Sequence, residues 1–334
     1  MRTLRRLLKS LLAASLYYSG VLHLLARRHL RRRCLVLTYH RVMPAHRRRD
    51  CHSSPAIVVH DTSFRKHLEL LTRLLPIVDM AGFLDFLEQP ARYPRGCCLL
   101  TFDDGWVDNY EYALPLLRER AMPATVFLPF DYIGRNECFW QEEIRMRLTA
   151  LLNGGPAARL QAEDLTEGEV KQQDDIEGFV ARLKQQGYEH IETVRSKLRA
   201  VAASEPPPQH YNRHLNWNQV AEMQAAGIGF ESHGLSHRIL TRIPQDEARN
   251  ELQASRRLLE TRLGTPVRAI AYPNGDSSPE IEQMAAEAGY QVAFSTRKGL
   301  VDPNSPRMAL PRVNMHEQAG FSRPVFLCTL LGIL

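Results

Sequence analysis

The stretch LLTFDDGWVDNY, residues 99–110, decides how the rest of the chain is read. An apolar run from Cys97 to Phe102 ends on two adjacent acids, Asp103 and Asp104, then a glycine, and a helical pattern follows. An apolar run of this length, bounded by turn residues, is a buried strand. Two carboxylates at its end repel each other and lose hydration unless positive charge lies beside or between them. Taken alone, Asp-Asp-Gly is a turn signal.

Working outward, the same strand-then-helix rhythm recurs. Leu35–Tyr39 is β-prone and ends at His40; Phe64, Leu68, Leu71 and Leu74 recur at helical spacing; Asp79 caps a second helix to Leu87. A helix over Tyr110–Ala121 and a strand over Ala124–Leu128 follow. Residues 138–212 break the rhythm with Glu, Gln and Lys, NGGP at 153–156, SEPPPQ at 204–209, and helical patterns near 166–184 and 188–203. The periodic apolar positions make this a helical insertion rather than a linker. The rhythm then resumes: helix 216–225, strand 227–231, a helix from Pro244 to Gly264, strand 269–272, helix 281–288, strand 291–295 and a last strand within 309–315. Alternating elements predict parallel strands joined by right-handed crossovers. In such folds chemistry gathers at the C-terminal strand ends. His40, Asp103, Asp104, His233 and Asn274 all fall there.

A divalent metal is the simplest positive partner for the two acids. The sequence SHGLSH, residues 232–237, offers His233 and His237, four apart at the end of another strand. A lone pair of histidines at this spacing is an ordinary surface feature, but one carboxylate and two imidazoles make a three-ligand site with open positions. Asp104 is read as the ligand, leaving Asp103 free to take a proton from water.

Composition bounds the partners. The chain has 334 residues, 44% hydrophobic and 24% charged, which is ordinary for a globular protein. Its +6 charge hides an asymmetry: residues 1–50 hold 13 Lys and Arg against one acid, and the remainder holds 30 basic and 36 acidic residues. A nucleic-acid partner, which needs basic residues spread over a folded surface, is not expected. Residues 1–33 carry a short apolar stretch, Leu11–Leu25, flanked by arginines. It is shorter than the ~20 apolar residues of a spanning helix. Two main readings fit: an amphipathic helix on an anionic membrane surface, with Tyr17 and Tyr18 at the interface, or a helix packed on the body of the protein; a signal anchor is a third. Six cysteines without a CxxC pair suggest reduced thiols rather than a disulfide framework. With the arginine flanks, this favours a membrane-associated protein on the cytoplasmic face. The apolar tail, residues 325–334, packs on the body or touches lipid.

TFDDG at 101–105 and HxxSH at 233–237 resemble the first two motifs of the polysaccharide deacetylases, the NodB-homology enzymes of carbohydrate esterase family 4. LTYHRV (37–42), FRKHLELL (64–71), MPATVFL (122–128) and AYPNG (271–275) support the resemblance. It implies an α/β fold, a distorted (β/α) barrel, over residues 34–334, and metal-dependent removal of N-acetyl groups from an N-acetylated glycan, usually with Zn2+. By position, Asp103 resembles the general base and Asp104, His233 and His237 the metal triad. The backbone N–H of Asn274 resembles the oxyanion donor, with Tyr272 and Pro273 in the same loop against substrate. Two departures stand out. Ala271 occupies the place of an arginine that usually pairs with the base; Arg312, in LPRV, is the substitute. His316, in VNMH, is the one downstream candidate for the general acid, and its alternative is a loop histidine. His40 either lines the same face or caps its strand. The rivals are a hydrolase of another non-peptide C–N bond and a carbohydrate-binding protein with a degenerate site.

Overall fold

The computed structural model describes residues 2–201 and 212–333, with side chains from residue 10 onward. SEPPPQ at 204–209 and the last two residues of the helix expected over 188–203 lie outside the described residues. Two helices open the chain, α1 (Arg2–Tyr18) and α2 (Val21–His29). Then come β1 (Cys34–Tyr39), β2 (Arg41–Met43), β3 (Val58–His60), α3 (Asp61–Leu74), β4 (Ile77–Val78), α4 (Met80–Glu88) and β5 (Cys97–Phe102). α4 starts where Asp79 Oδ1 accepts the Gly82 N–H at 2.8 Å. A π-helical turn over Asn109–Ala113 leads into α5 (Leu114–Arg118) and β6 (Ala124–Leu128). One regular helix is expected here from the apolar pattern. Pro115 has no N–H to donate to the preceding turn, and the helix is short and irregular instead.

The segment between β6 and the next strand holds α6 (Trp140–Asn153), α7 (Pro156–Leu165), α8 (Asp175–Leu183) and α9 (Tyr188–Val201). These four pack on one another through Trp140, Ile144, Leu148, Ala162, Val180, Ile191 and Leu198, a core separate from that of the sheet. The chain returns through α10 (Trp217–Ala225), β7 (Ile228–Ser232), α11 (Gln245–Leu263), β8 (Ala269–Ala271), α12 (Pro279–Glu287), β9 (Val292–Phe294), β10 (Val313–Asn314), α13 (Glu317–Gly320) and α14 (Arg323–Leu330). Asn216 and Gln219 form a reciprocal capping box on α10, and Gly264, with φ of 69°, ends α11 in the left-handed conformation.

Eight strands form one parallel sheet in the order β10-β1-β5-β6-β7-β8-β9, with β4 beside the start of β5. Leu310 pairs with Phe294 of β9 and Val313 with Leu37 of β1, so the chain before β10 bridges the two edges and the sheet curls round on itself. Alternate residues face opposite ways. Cys34, Val36, Cys97, Leu99, Phe127, Ala269, Ala271, Val292 and Phe294 point to an inner cluster, joined by Met80, Phe83 and Phe86 of α4. Leu35, Leu37, Cys98, Leu100, Val126, Ile270 and Ala293 point outward under the helices. The six cysteines are all free thiols, five of them buried.

The N-terminal helices lie against the body. α1 contacts α14, Ala13, Leu22, Ala26 and Leu30 are buried, and Leu16 and Tyr17 pack at the edge of the core. Leu11, Leu12, Tyr18, Leu24 and Leu25 stay exposed. No described helix is long and apolar enough to cross a membrane. The tail forms α14, with Val325–Leu330 buried on the body.

Candidate metal centre and active site

The inward alternation along β5 carries one residue past the strand, so Asp103 points into the curl of the sheet, above Leu99 and Thr101. Asp104 and Gly105 then turn the chain with φ of 75° and 62°. A glycine is favoured at 105, where L side chains disfavour the conformation and a Cβ would lie 2.7 Å from Leu128 Cδ2. The turn brings Asp104 Oδ1 to 3.3 Å from His233 Nε2 and 3.2 Å from His237 Nε2. Trp106 Nε1 donates to Asp104 Oδ2 at 2.9 Å.

The two histidines are aimed by their surroundings. His233 Nδ1 lies 2.7 Å from the Ala271 carbonyl, which can only accept, so this nitrogen carries the proton. Its Nε2 lone pair therefore faces a carboxylate oxygen, an arrangement that needs a cation or a second proton between them. The loop to His237 is pinned by Glu251 of α11, which accepts the N–H of Leu235 at 2.8 Å and of Ser236 at 2.9 Å, together with the Ser236 hydroxyl. His237 has φ of 57° and its ring stacks on Phe139 at 3.9 Å. The ligand atoms of Asp104, His233 and His237 all lie within 4.8 Å of one another, and one carboxylate with two imidazoles is a donor set suited to a divalent ion.

Asp103 is held differently. Arg312 Nη1 and Nη2 donate to its two oxygens at 2.8 Å each, and Arg312 Nε donates to the Ser295 carbonyl at 3.1 Å. Both side chains are buried. Burial alone would raise the Asp103 pKa, but the Arg312 guanidinium holds it below the usual carboxylate range. Burial would also raise Asp104, but positive charge shared with the facing His233 and His237 rings holds it well below that range. His40 Nε2 lies 3.9 Å from Asp103 Oδ2, and His40 Nδ1 is buried without a partner among the described residues. Burial lowers the His40 pKa despite the pull of Asp104 and Asp103.

A cavity of about 300 Å3 joins these groups. His40, Asp103, Asp104, His233, His237, Tyr272 and Asn274 line it. Asn274 holds φ of 60° on a loop closed by Gly275, where a Cβ would meet Thr296 Oγ1 at 2.2 Å. Two expected residues lie elsewhere. Pro273 is buried beside Gly234 rather than on the cavity wall. His316 faces a neighbouring cleft with Ser10, Lys298 and Gln318. A long-range contact goes with this placement: Glu317 accepts the His60 N–H and the Ser63 hydroxyl, each at 2.9 Å, and holds the chain after β10 against β3 and α3.

The insertion roofs the cavity with Phe139, Gln141, Glu142, Arg145 and Lys184. None of these carries a motif that sequence reading could single out, since the segment reads only as polar helix. Trp106, directly after the DDG turn, was within reach of it as the nearest donor to Asp104.

The model of the family described as polysaccharide deacetylase matches residues 91–293, more than half of the chain. A curated relative from Bacillus subtilis strain 168, named as polysaccharide deacetylase YxkH, is 24% identical over 229 residues, 69% of this chain and 55% of the relative. The chain thus spans about half the length of that relative. Among solved structures, the deacetylase PplD of Streptococcus pyogenes, in complex with acetate, superposes with a TM-score of 0.58 at 18% identity, over 89% of this chain and 98% of that one. IcaB of Ammonifex degensii gives 0.57 at 18% identity, over 90% and 97%. The two structures share the curled parallel-sheet fold of this chain.

Proposed function

Because the chain belongs to the polysaccharide deacetylase family, we propose that it hydrolyses the N-acetyl group of an N-acetylated glycan, with Asp104, His233 and His237 holding a divalent cation, Zn2+ before others. The observation that carries this is the convergence of three neighbouring ligand atoms beside an ionised, arginine-clamped Asp103 in one cavity. The bound cation would supply Lewis acidity, polarising the amide oxygen and acidifying water.

The rest is done by the chain's own groups. Asp103 takes the proton of the attacking water; its clamp keeps it ionised and aimed, as a general base must be. The Asn274 backbone N–H is the proposed donor to the oxyanion. The water oxygen adds to the amide carbon to give the oxyanion, whose collapse breaks the C–N bond, and the leaving amine needs a proton. His40 is the general acid in this reading, in place of His316. It lines the cavity beside Asp103, and the carboxylates of Asp104 and Asp103 favour its charged, proton-donating form against the burial that disfavours it. The experiment is acetate release from a panel of N-acetylated oligosaccharides, with and without chelator. Acetate from at least one member, abolished by chelator and restored by Zn2+, is expected; no acetate from metal-loaded protein on any member overturns the reading.

The exposed Leu11, Leu12, Tyr18, Leu24 and Leu25 lie on helices whose C-terminal flank holds Arg27, Arg28, Arg31 and Arg32. Apolar residues with surrounding arginines suit reversible attachment to an anionic membrane surface, placing the cavity near membrane-bound glycan.

A further inference from the structure

Lys184 follows α8, in the insertion, yet its side chain lines the metal cavity together with Asp104 and Asn274. Its Nζ donates to Asn274 Oδ1 at 3.0 Å. Among the described residues no carboxylate lies within ion-pair distance of it. The other charges of the cavity are matched: Asp103 with Arg312 at 2.8 Å, and Arg145 with Glu142 at 3.5 Å and Glu177 at 2.7 Å. An ammonium has three donors, and the Asn274 bond uses one. A partly buried cation with free donors, facing a cleft, is placed to receive an acceptor of opposite charge.

Resting on the deacetylase reading above, we propose that the substrate is an N-acetylated sugar carrying an anionic group, phosphate or carboxylate, near the acetamide, and that Lys184 binds that group. With a divalent ion on the triad, five positive charges (two on the ion, and Lys184, Arg145 and Arg312) face four negative ones (Asp103, Asp104, Glu142 and Glu177), and the excess lies with the ion and Lys184, which favours an anionic glycan over a neutral one. Attachment of Lys184 to the Asn274 loop places the recognised charge close to the scissile amide.

The test uses matched pairs. Acetate release is measured from N-acetylglucosamine against N-acetylglucosamine 1-phosphate, and from a neutral N-acetylglucosamine oligomer against one of equal length alternating with glucuronate. The first pair reports phosphate and the second carboxylate. The full chain should prefer the anionic member of at least one pair by about tenfold or more in kcat/KM, mostly through KM. Lys184→Gln should remove the preference, read as the ratio of kcat/KM for the anionic and neutral members, and Lys184→Arg should restore much of it. Calorimetric binding of the same four compounds to Asp103→Asn protein gives a second readout. A preference in binding without acetate release would sink the deacetylase reading and leave this one standing. Equal handling of neutral and anionic members, or an equal fall in both with Lys184→Gln, would overturn the inference and leave Lys184 only a support for Asn274.

Discussion

Arg312 and His40 show how a residue 209 positions from Asp103, and another in a separate motif, come to act on the same carboxylate. The pair of Asp103 with Arg312 is buried, so removing one partner leaves a charge uncompensated. Arg312→Met should cost on the order of 3–5 kcal/mol at pH 7 by urea denaturation. Asp103 has a folded pKa below its unfolded value, so its contribution is present above the unfolded pKa and lost as pH falls through the folded one. The difference between wild type and Arg312→Met should therefore narrow in acid; a difference that stays constant from pH 7 down to pH 3 would count against the pair. A kinetic comparison separates the two histidines. His40→Ala should lower kcat by about 10²–10⁴-fold, whereas His316→Ala should stay within a few-fold, and the reverse ranking would return the acid role to His316. At this scale the sequence made the triad legible because Asp104, His233 and His237 each belong to a short local pattern. The acid was not legible in the same way: the sequence pointed to His316, whose place outside the cavity goes with Glu317 pairing with His60 and Ser63, a contact between distant segments.

Among the elements, α3 carries a titratable group inside the core. His67 is buried between Tyr39, whose hydroxyl lies 3.1 Å from Nδ1, and the Gly320 carbonyl, 2.6 Å from Nε2, with Phe326 of α14 stacked on its ring at 4.0 Å. Burial lowers its pKa to about 4. A histidine depressed in the folded state stabilises above its unfolded pKa, near 6.5, and that contribution fades as pH falls toward 4. The shift corresponds to roughly 3 kcal/mol. Stability should thus fall between pH 6.5 and 4, and His67→Gln, less stable at pH 7, should show a shallower decline; identical slopes would remove His67 as the cause. The regular elements were legible where apolar period and cap agree, as in α4 with Asp79 and α11 with Gly264. They were not where backbone chemistry overrides the period, as at Pro115, or where tertiary pairing alone makes a strand, as in β2 with β3. The last expected strand, within 309–315, shrank to Val313–Asn314: Leu310 makes a single bridge to Phe294 of β9, and the ladder to β1 begins only at Val313.

For the whole molecule, the barrel supplies the proposed metal ligands and base, the insertion supplies the roof, and the N-terminal helices supply an exposed apolar and basic face. Vesicle flotation tests that last assignment: the protein should float with anionic vesicles at low salt and not with neutral ones, and Leu24→Asp combined with Leu25→Asp should abolish it. Equal behaviour with both vesicle types would discard the membrane surface as a partner. The parallel sheet and its polar C-terminal edge followed from alternation along the chain. The roof over that edge did not, because the positions of Phe139 and Lys184 over His237 and Asn274 are set by packing within the four-helix core. The central claim is that one cation is shared by Asp104, His233 and His237, and its most direct test is metal content of the purified protein by mass spectrometry. Wild type should carry stoichiometric divalent metal and His237→Ala, folded by circular dichroism, should carry almost none; stoichiometric metal in that variant, or none in wild type after incubation with Zn2+, would contradict the account.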